Sequence, residues 1–195
     1  MNESRRRFAS ELLAASRAHD RDLPRLERFR NVEPETAELL GILIRACDAQ
    51  RILELGTSNG YSTLWLADAA EATGGGVVSV DLDPSRTALA RDNLTRAGLD
   101  ELVELRTEDA GMALSNAADG EWDFMFLDSE RIAYPGYLVN LVRTLKPGGV
   151  LAIDNALSHE HELVEFTAQV QEVEALTQTV VPVGAGMRLA VRGRF

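Results

Sequence analysis

RILELGTSNGYSTLWLA, residues 51–67, contains in order a short apolar run, a turn with two glycines and apolar residues at helical spacing. The apolar run predicts a buried strand, and the spacing of Leu64, Leu66 and Ala67 predicts a helix. Gly56 and Gly60 lie in the turn between them, where a backbone without a Cβ can approach a ligand closely. The first N–H groups of the helix would point to the same place. The stretch predicts either a ligand-binding strand-turn-helix unit or an ordinary connection of that shape.

Mostly apolar strands alternate with helices through the chain. Strands are expected at residues 52–55, 77–80, 103–105, 124–127 and 150–153. Such strands are typical of a parallel sheet with helices on both faces, and right-handed crossovers then give a doubly wound topology. Two further strands, Leu176–Val181 and Met187–Val191, are joined by a short turn and predict a C-terminal antiparallel hairpin. The predicted fold class is therefore α/β, with a doubly wound, mostly parallel seven-stranded sheet of the Rossmann-like kind.

The helices are predicted from apolar periodicity and from glycine and proline signals. Helices at about 3–19, within an N-terminal helical extension of residues 1–30, and at about 33–46 precede the first strand. A helix that ends at Gly98 should direct Leu89 and Leu94 inward. Later helices should span about 137–145, ending at a Lys-Pro-Gly-Gly run, and about 159–173. The chain has 195 residues, 45% of them hydrophobic, which fits a single domain, 1–195, with one core.

Composition disfavours several classes of partner. The chain has 31 acidic and 20 basic residues, a net charge of -11 at pH 7. This excess repels phosphate backbones and anionic membranes, which disfavours nucleic acid as a partner without excluding it. No apolar run approaches the roughly 20 residues that span a bilayer. The single cysteine, Cys47, allows no internal disulfide and is expected to pack in the core. We therefore expect a cytoplasmic protein without a membrane segment.

Polar residues and one glycine follow the predicted strands at the point where each strand ends. They are Gly56, Asp81, Asp109, Asp128, Asp154 and Asn155. The carboxyl ends of parallel strands form the edge at which open α/β sheets bind ligands. A single carboxylate there, such as Asp83 or Asp109, is usually the cap of the next helix. Carboxylates that close strands two, four and five together indicate a binding site.

The first half of this edge has the features of a nucleoside site. Asp81 follows Gly56 by about 25 residues, close to the distance at which an acidic residue meets ribose hydroxyls. Gly56 and Gly60 are four residues apart, which is not the G-x-G-x-x-G spacing of dinucleotide enzymes and disfavours a nicotinamide-dependent dehydrogenase. Glu54 beside the turn would repel a phosphate and attract an amino group. A nucleoside that carries an α-amino acid, such as S-adenosylmethionine, fits this charge pattern.

The second half of the edge offers three oxygen ligands, Asp128, Asp154 and Asn155. If strands four and five are neighbours, about 4.8 Å apart, these side chains can meet at one cation. Oxygen ligands favour Mg²⁺, Mn²⁺ or Ca²⁺ over Zn²⁺, and three protein ligands leave places for substrate oxygens and water. An Asp-Asn pair after a strand is also a common loop sequence, so a simple loop is the alternative.

Five segments together resemble the cation-dependent small-molecule O-methyltransferases, the family of catechol and caffeoyl-CoA O-methyltransferases and their bacterial relatives. The resemblance extends from about Phe29 to the C-terminus. The segments are LELGTSNGYSTLWLA (53–67), VSVDLDP (78–84), FLDSERIAYPGY (126–137), LKPGGVLAIDN (145–155) and VPVGAGMRLAV (181–191). The resemblance implies a Rossmann-like methyltransferase fold and transfer of a methyl group to a hydroxyl of a small, catechol-like aromatic substrate.

The resemblance also implies a role for each matching residue. S-adenosylmethionine would contact Val32, Glu54, Gly56, Gly60 and Ser62 through its methionine part, Asp81 through its ribose, and Asp109 and Ala110 through its adenine. The divalent cation would be bound by Asp128, Asp154 and Asn155. Asp128, which would also lie close to the cofactor, and Arg131 would take part in catalysis.

In the implied chemistry two substrate oxygens would chelate the metal, which lowers the pKa of the attacking hydroxyl and holds it in line with the sulfonium methyl group. Relatives have a lysine, the usual candidate for general base, where this chain has Arg131. An arginine stays protonated at physiological pH, so Arg131 could only orient or neutralise an oxyanion. Lys146 is the one lysine among the 20 basic residues, so compositional drift explains Arg131 equally well.

The loop after Asn155 is short beside that of larger relatives, which carry an insertion there that helps cover the substrate. The pocket would be more open, or a partner subunit would cover it; relatives are often dimers, and a homodimer is one expected assembly.

His159 and His161 could act as acid or base, but residues two apart point to different helix faces, so at most one would enter the site. Tyr134 and Tyr137 could add aromatic surface, while Trp65 is expected in the core.

Two other functions remain open. The same cofactor fold could methylate nitrogen or an RNA base, although Asp128-Ser129-Glu130-Arg131 lacks the Asn/Asp-Pro-Pro-aromatic run common in such enzymes. The chain could also bind the cofactor without methyl transfer, as the missing lysine and the short loop would allow.

Overall fold

The computed structural model describes residues 1–194, apart from the side chain of residue 26. Its α-helices and strands follow one another as α1 (Glu3–Asp20), α2 (Pro34–Ala46), β1 (Arg51–Leu55), α3 (Tyr61–Thr73), β2 (Gly76–Asp81), α4 (Pro84–Ala97), β3 (Val103–Thr107), α5 (Ala110–Asn116), β4 (Trp122–Leu127), α6 (Tyr134–Thr144), β5 (Leu145–Ile153), α7 (Val164–Gln171), β6 (Leu176–Val181) and β7 (Met187–Arg192). Short 3-10 helices occur at Arg25–Glu27, Asp100–Leu102, Arg131–Ala133 and Glu160–Glu162.

The strands form one seven-stranded sheet in the order β3-β2-β1-β4-β5-β7-β6. Strands β1 to β5 pair in parallel, and β7 lies antiparallel between β5 and β6. The predicted doubly wound sheet with a C-terminal antiparallel hairpin is confirmed. Leu55 is level with Val80 on one side and Leu127 on the other, and Leu127 is level with Ile153. The residues that follow these four strands therefore meet at one edge of the sheet.

Apolar side chains cover both faces of the sheet. Phe124 and Phe126 of β4 belong to the core beneath α2 and α3, whereas Met125 and Leu127 belong to the core beneath α6 and α7. All four side chains are fully buried, and full burial of a side chain of this size contributes about 1.5–3 kcal/mol. A strand buried on both faces is mostly apolar, which explains why residues 124–127 of β4 could be recognised in the sequence.

Two element boundaries differ from those predicted. Strand β5 begins at Leu145, so that the Lys-Pro-Gly-Gly run expected to stop a helix lies within a strand. The run occupies a register shift in the β4–β5 pairing, with Gly148 at φ +85°, and a bulge tolerates proline and glycine that a regular ladder would not. The helix expected at 159–173 is divided into a 3-10 turn and the shorter α7.

Two predicted core residues are in fact at the surface. Leu89 is 36% exposed, because the inner face of α4 is formed by Thr87, Ala90 and Leu94 and Leu89 lies to the side of that face. Cys47 is exposed as well, because it is the cap residue at which α2 ends. None of the described helices is both long and apolar enough to cross a membrane.

Candidate active site

A cavity of about 620 Å³ opens at the edge where β1, β2, β4 and β5 end. Most of the residues predicted for the site contribute to its wall. These are Val32, Gly56, Asp81, Asp109, Ala110, Asp128, Arg131, Asp154 and Asn155. The structure thus gathers both the nucleoside half and the cation half of the predicted site around one space.

The backbone at Gly56 brings the two halves together. Gly56 has φ +108°, and a Cβ built on it would lie 2.2 Å from the carbonyl oxygen of Asp128. Only glycine fits both the conformation and the space. The Asp128 N–H donates to Leu55 O at 2.9 Å, and the Asp154 N–H donates to Leu127 O at 3.1 Å. These bonds continue the sheet by one residue and place Gly56, Asp128 and Asp154 side by side.

The acids of the nucleoside half also stabilise the loops that carry them. Asp81 accepts a hydrogen bond from the N–H of Ser58 at 2.8 Å through Oδ2 and one from the N–H of Asp83 at 3.0 Å through Oδ1. Asp109 is the N-cap of α5 and accepts from the Met112 N–H at 3.0 Å. Both carboxylates still line the cavity, and a carboxylate oxygen can accept more than one hydrogen bond. The capping role of Asp109 and its predicted role in binding are therefore compatible.

Three predicted cofactor residues, Glu54, Gly60 and Ser62, do not contribute to the cavity wall. Glu54 is 0% exposed. Its carboxylate accepts hydrogen bonds from Ser62 Oγ and Ser79 Oγ, both at 2.6 Å, and from Thr63 Oγ1. Burial raises the pKa of Glu54 to about 7, against the lowering effect of these hydroxyls. Glu54 thus lies beneath the turn, and its contact with a cofactor stays a prediction.

Asp128, Asp154 and Asn155 form a compact acidic group on the other half of the edge. Asp154 is 4% exposed, and its Oδ1 is buried without a hydrogen-bond partner, whereas its Oδ2 accepts from Asn155 Nδ2. Burial, together with the adjacent Asp154 carboxylate, raises the pKa of Asp128. Burial likewise raises the pKa of Asp154, against the hydrogen bonds from Asn155. Both carboxylates are thus disfavoured as anions unless a positive charge joins them.

Arg131 supplies one positive charge to this group. Its side chain is 3% exposed, and its Nη1 donates to Asn155 Oδ1 at 3.1 Å while its Nε donates to Glu162 Oε2 at 2.7 Å. The charge of Arg131 lowers the pKa of both Asp128 and Asp154, less strongly than burial raises it. Glu162 carries no motif in the sequence, and its position could not be predicted because a separate loop brings it to Arg131.

A segment that we call the strap, residues 28–33, forms another wall of the cavity. The N–H groups of Phe29 and Arg30 donate to the two carboxylate oxygens of Asp20 at 2.8 and 3.0 Å. Ser58 Oγ donates to the Phe29 carbonyl at 2.9 Å, and Arg30 has φ +54°. Sequence analysis singled out Val32 of this segment but missed Arg30, which forms an ion pair with Glu130 at 2.9 Å.

Of the two histidines, His159 lines the cavity and His161 does not. His159 Nδ1 lies 2.8 Å from Ser158 Oγ, and burial and the charge of Arg131 lower its pKa.

Tyr137 contributes to the wall, whereas Tyr134 is fully buried with its hydroxyl bonded to Ser129. Trp65 is buried, as expected.

A divalent cation fits the chemistry of the acidic group. The unpartnered Oδ1 of Asp154 and the raised pKa of both carboxylates are what a missing positive charge would produce. The described residues hold no group of three or more His, Cys, Asp or Glu side chains that could hold a metal ion, and the third member of the acidic group is an amide. Two carboxylates and an amide oxygen suit Mg²⁺, Mn²⁺ or Ca²⁺.

Comparisons with known proteins point to O-methyltransferases. A family model described as O-methyltransferase matches residues 8–193. The chain is 35% identical over 130 residues to a catechol O-methyltransferase of Niastella koreensis and 35% identical over 145 residues to one of Mycobacterium tuberculosis. These matches cover 65% and 74% of this chain but 58% and 63% of the relatives, so the chain spans about three fifths of their length.

A solved O-methyltransferase from Bacillus cereus in complex with SAH is 26% identical, with a TM-score of 0.80 over 98% of this chain and 92% of that one. Its sheet therefore follows the same course as the sheet of this chain. Because the family model extends over nearly the whole sequence, this chain belongs to the O-methyltransferase family.

Proposed function

We propose that this chain transfers the methyl group of S-adenosylmethionine to a hydroxyl of a small, catechol-like aromatic molecule, with a divalent cation at Asp128, Asp154 and Asn155. The observation that carries the proposal is the shared cavity, which both the nucleoside half and the acidic group line. A methyl donor and a hydroxylated acceptor bound there would be adjacent, and adjacency of two reactants is a large part of catalysis for a simple displacement. The names of the relatives support the same reaction.

The cofactor would lie along the first half of the edge. Asp81 would accept hydrogen bonds from the ribose hydroxyls, and Asp109 and Ala110 would face the adenine. Gly56 and Val32 would contact the methionine part, with Glu54, Gly60 and Ser62 either supporting the turn from below or reaching the cofactor after a shift of the turn. The solved relative in complex with SAH supports a cofactor of this class.

The acceptor would bind beside the acidic group. A bound cation would lower the pKa of the acceptor hydroxyl and draw two acceptor oxygens to one place. In the displacement the acceptor hydroxyl gives its proton to water, its oxygen forms a bond to the methyl carbon, and the bond between that carbon and the sulfonium sulfur breaks, so that the sulfur keeps the electron pair and S-adenosylhomocysteine leaves. Arg131 cannot take this proton, and its position beside Asn155 favours an orienting role over proton transfer.

A methyl-transfer screen tests the proposal. Catechols, hydroxycinnamates and flavonoids are incubated with labelled S-adenosylmethionine, with added Mg²⁺ or Mn²⁺ or with EDTA. We expect cation-dependent label in a catechol, and we expect Asp154→Asn to abolish turnover while it leaves binding of S-adenosylhomocysteine (SAH) largely unchanged. Activity that survives both EDTA and the substitution would refute the cation. Label in a purified RNA pool would favour the base-methylating alternative, and cofactor binding without any transfer would favour the non-transferring one.

A further inference from the structure

Glu162 does not line the cavity, but its carboxylate is hydrogen-bonded to Arg131, a buried guanidinium group that does. Its side chain is 25% exposed and accepts the Arg131 Nε hydrogen bond at 2.7 Å. Arg25, from the segment before the strap, approaches the same carboxylate at 3.4 Å. Glu162 therefore compensates two guanidinium groups at once, and one of them is in contact with Asn155.

The hydrogen bonds around Asn155 select one orientation of its amide. Nδ2 donates to Asp154 Oδ2, and Oδ1 accepts from Arg131 Nη1 at 3.1 Å. An amide oxygen has two lone pairs, so one of them stays available for another partner. Asp154 Oδ1, the unpartnered atom, belongs to the same network. Arg131 thus helps to hold Asn155 with its oxygen, and not its NH₂ group, available for a cation.

The same guanidinium would oppose a cation by charge repulsion. Arg131 is 3% exposed, so water screens its charge poorly, and an uncompensated positive charge next to a divalent ion weakens binding of that ion. The Glu162 carboxylate, 2.7 Å from Arg131 Nε, offsets this repulsion of a bound cation. The hydrogen bond from Arg131 to Asn155 stays in place. Orientation and charge compensation therefore both depend on Glu162.

We propose that Glu162 is a positioning residue of the cation site, which fixes and neutralises Arg131 so that Arg131 can orient the Asn155 amide without repelling the cation. The inference rests on the proposed cation at Asp128, Asp154 and Asn155. Nothing in it requires that Glu162 touch the cation, the cofactor or the acceptor.

The test is Mn²⁺ affinity, measured by electron paramagnetic resonance on the whole chain without acceptor. Glu162→Gln removes the charge but keeps the shape, and we expect about tenfold weaker Mn²⁺ binding, the lower end of what loss of an orienting partner costs a metal site. Glu160→Gln is the matched control, because Glu160 is exposed, lies on the same 3-10 helix and carries the same charge. We expect the control to stay within about twofold of wild type.

A double variant separates positioning from a merely structural role. Because Glu162 acts only through Arg131, Glu162→Gln should have no further effect once Arg131 is gone, so Arg131→Met alone and Arg131→Met combined with Glu162→Gln should bind Mn²⁺ equally. A double variant that binds Mn²⁺ more weakly than Arg131→Met alone, or Glu162→Gln and Glu160→Gln proteins with equal affinity, would overturn the inference while the cation site stands. A wild-type protein that binds no Mn²⁺ would overturn the cation site and the inference together.

Discussion

At the scale of single residues, Gly56 is the most tightly constrained position at the site. Its φ of +108° and the 2.2 Å between its built Cβ and the Asp128 carbonyl oxygen exclude any side chain without movement of β1 or β4. We expect Gly56→Ala to lower the free energy of unfolding by about 2 kcal/mol or more and to weaken SAH binding. Urea unfolding and calorimetry measure the two effects. Gly136→Ala is the control, since Gly136 is helical with nothing within 4 Å of its Cβ.

Glu54 makes the stability of the fold depend on pH. Its folded pKa, about 7, is above the ordinary 4.5, and burial is the main cause. A carboxyl group with a raised pKa favours the folded state while it is protonated, so this contribution is present below about pH 4.5 and is lost as pH rises through 7. The size of the shift corresponds to about 3 kcal/mol.

We expect Glu54→Gln to remove this pH dependence, because an amide has no charge to bury. The difference in free energy of unfolding, variant minus wild type, should increase by about 3 kcal/mol between pH 4.5 and pH 8. Urea unfolding across that range measures it, and Glu174→Gln at an exposed site controls for loss of a carboxylate. Parallel curves for Glu54→Gln and wild type would show that the carboxylate is not buried in the way described.

At the scale of elements, the Asp20 carboxylate holds the backbone of the strap. Asp20, at the end of α1, accepts the N–H groups of Phe29 and Arg30 and fixes the positive φ of Arg30. In Asp20→Asn one of these N–H groups loses its acceptor, and a hydrogen bond to a charged group contributes about 1.5–3 kcal/mol. We expect amide exchange in the strap to be at least about tenfold faster and SAH binding to be weaker, because Val32 lines the cavity.

Hydrogen exchange with mass-spectrometric detection and calorimetry measure these two changes. The control is Asp22→Asn, an exposed aspartate two residues away. Equal exchange in the two variants would mean that Asp20 does not hold the strap.

Element boundaries show what the sequence could and could not predict. Strands β1, β2 and β4 could be predicted because each is buried on both faces and ends at a polar residue or glycine, so the pattern is local. The start of β5 could not, because the Lys-Pro-Gly-Gly run is tolerated only through its register with β4. The inward face of α4 depends on how the helix packs on its neighbours, and Leu89, adjacent to the buried Ala90, lies to the side of that face.

The candidate site likewise contains residues whose positions the sequence could predict and residues whose positions it could not. Asp81, Asp128, Asp154 and Gly56 could be predicted to meet because strand ends share an edge once the strands are parallel. Arg131 and Glu162 come from separate loops, and their contact depends on how those loops close over the sheet, which no spacing in the sequence encodes. The position of Glu54 beneath the turn instead of beside a ligand depends on the hydroxyls around it, which pack there from α3 and β2.

At the scale of the whole molecule, strand order decides where the cavity is. The chain winds outward from β1 to β3 on one side and from β4 to β5 on the other, so the loops after β1 and β4 diverge and leave a crevice between them. Gly56 follows β1 and Asp128 follows β4, so both lie where the strand order reverses. The two halves of the fold thus bring different residues to one space, the predicted nucleoside edge from β1 and β2 and the acidic group from β4 and β5.

This arrangement couples the acidic group to global stability. The fold brings Asp128 and Asp154 together at a cost, since burial disfavours both anions and the Asp154 carboxylate further disfavours the anion of Asp128, and a cation that binds only the folded chain would offset that cost. At an Mn²⁺ concentration about 100 times its dissociation constant the expected stabilisation is about 2.7 kcal/mol, which raises the melting temperature of a chain of this length by about 5–10 °C. Calorimetric scans with Mn²⁺ and with EDTA measure the difference. The increase should vanish in Asp154→Asn and persist in Asp92→Asn, which changes an exposed aspartate on α4; an equal increase in both variants would place the bound cation elsewhere on this acidic surface.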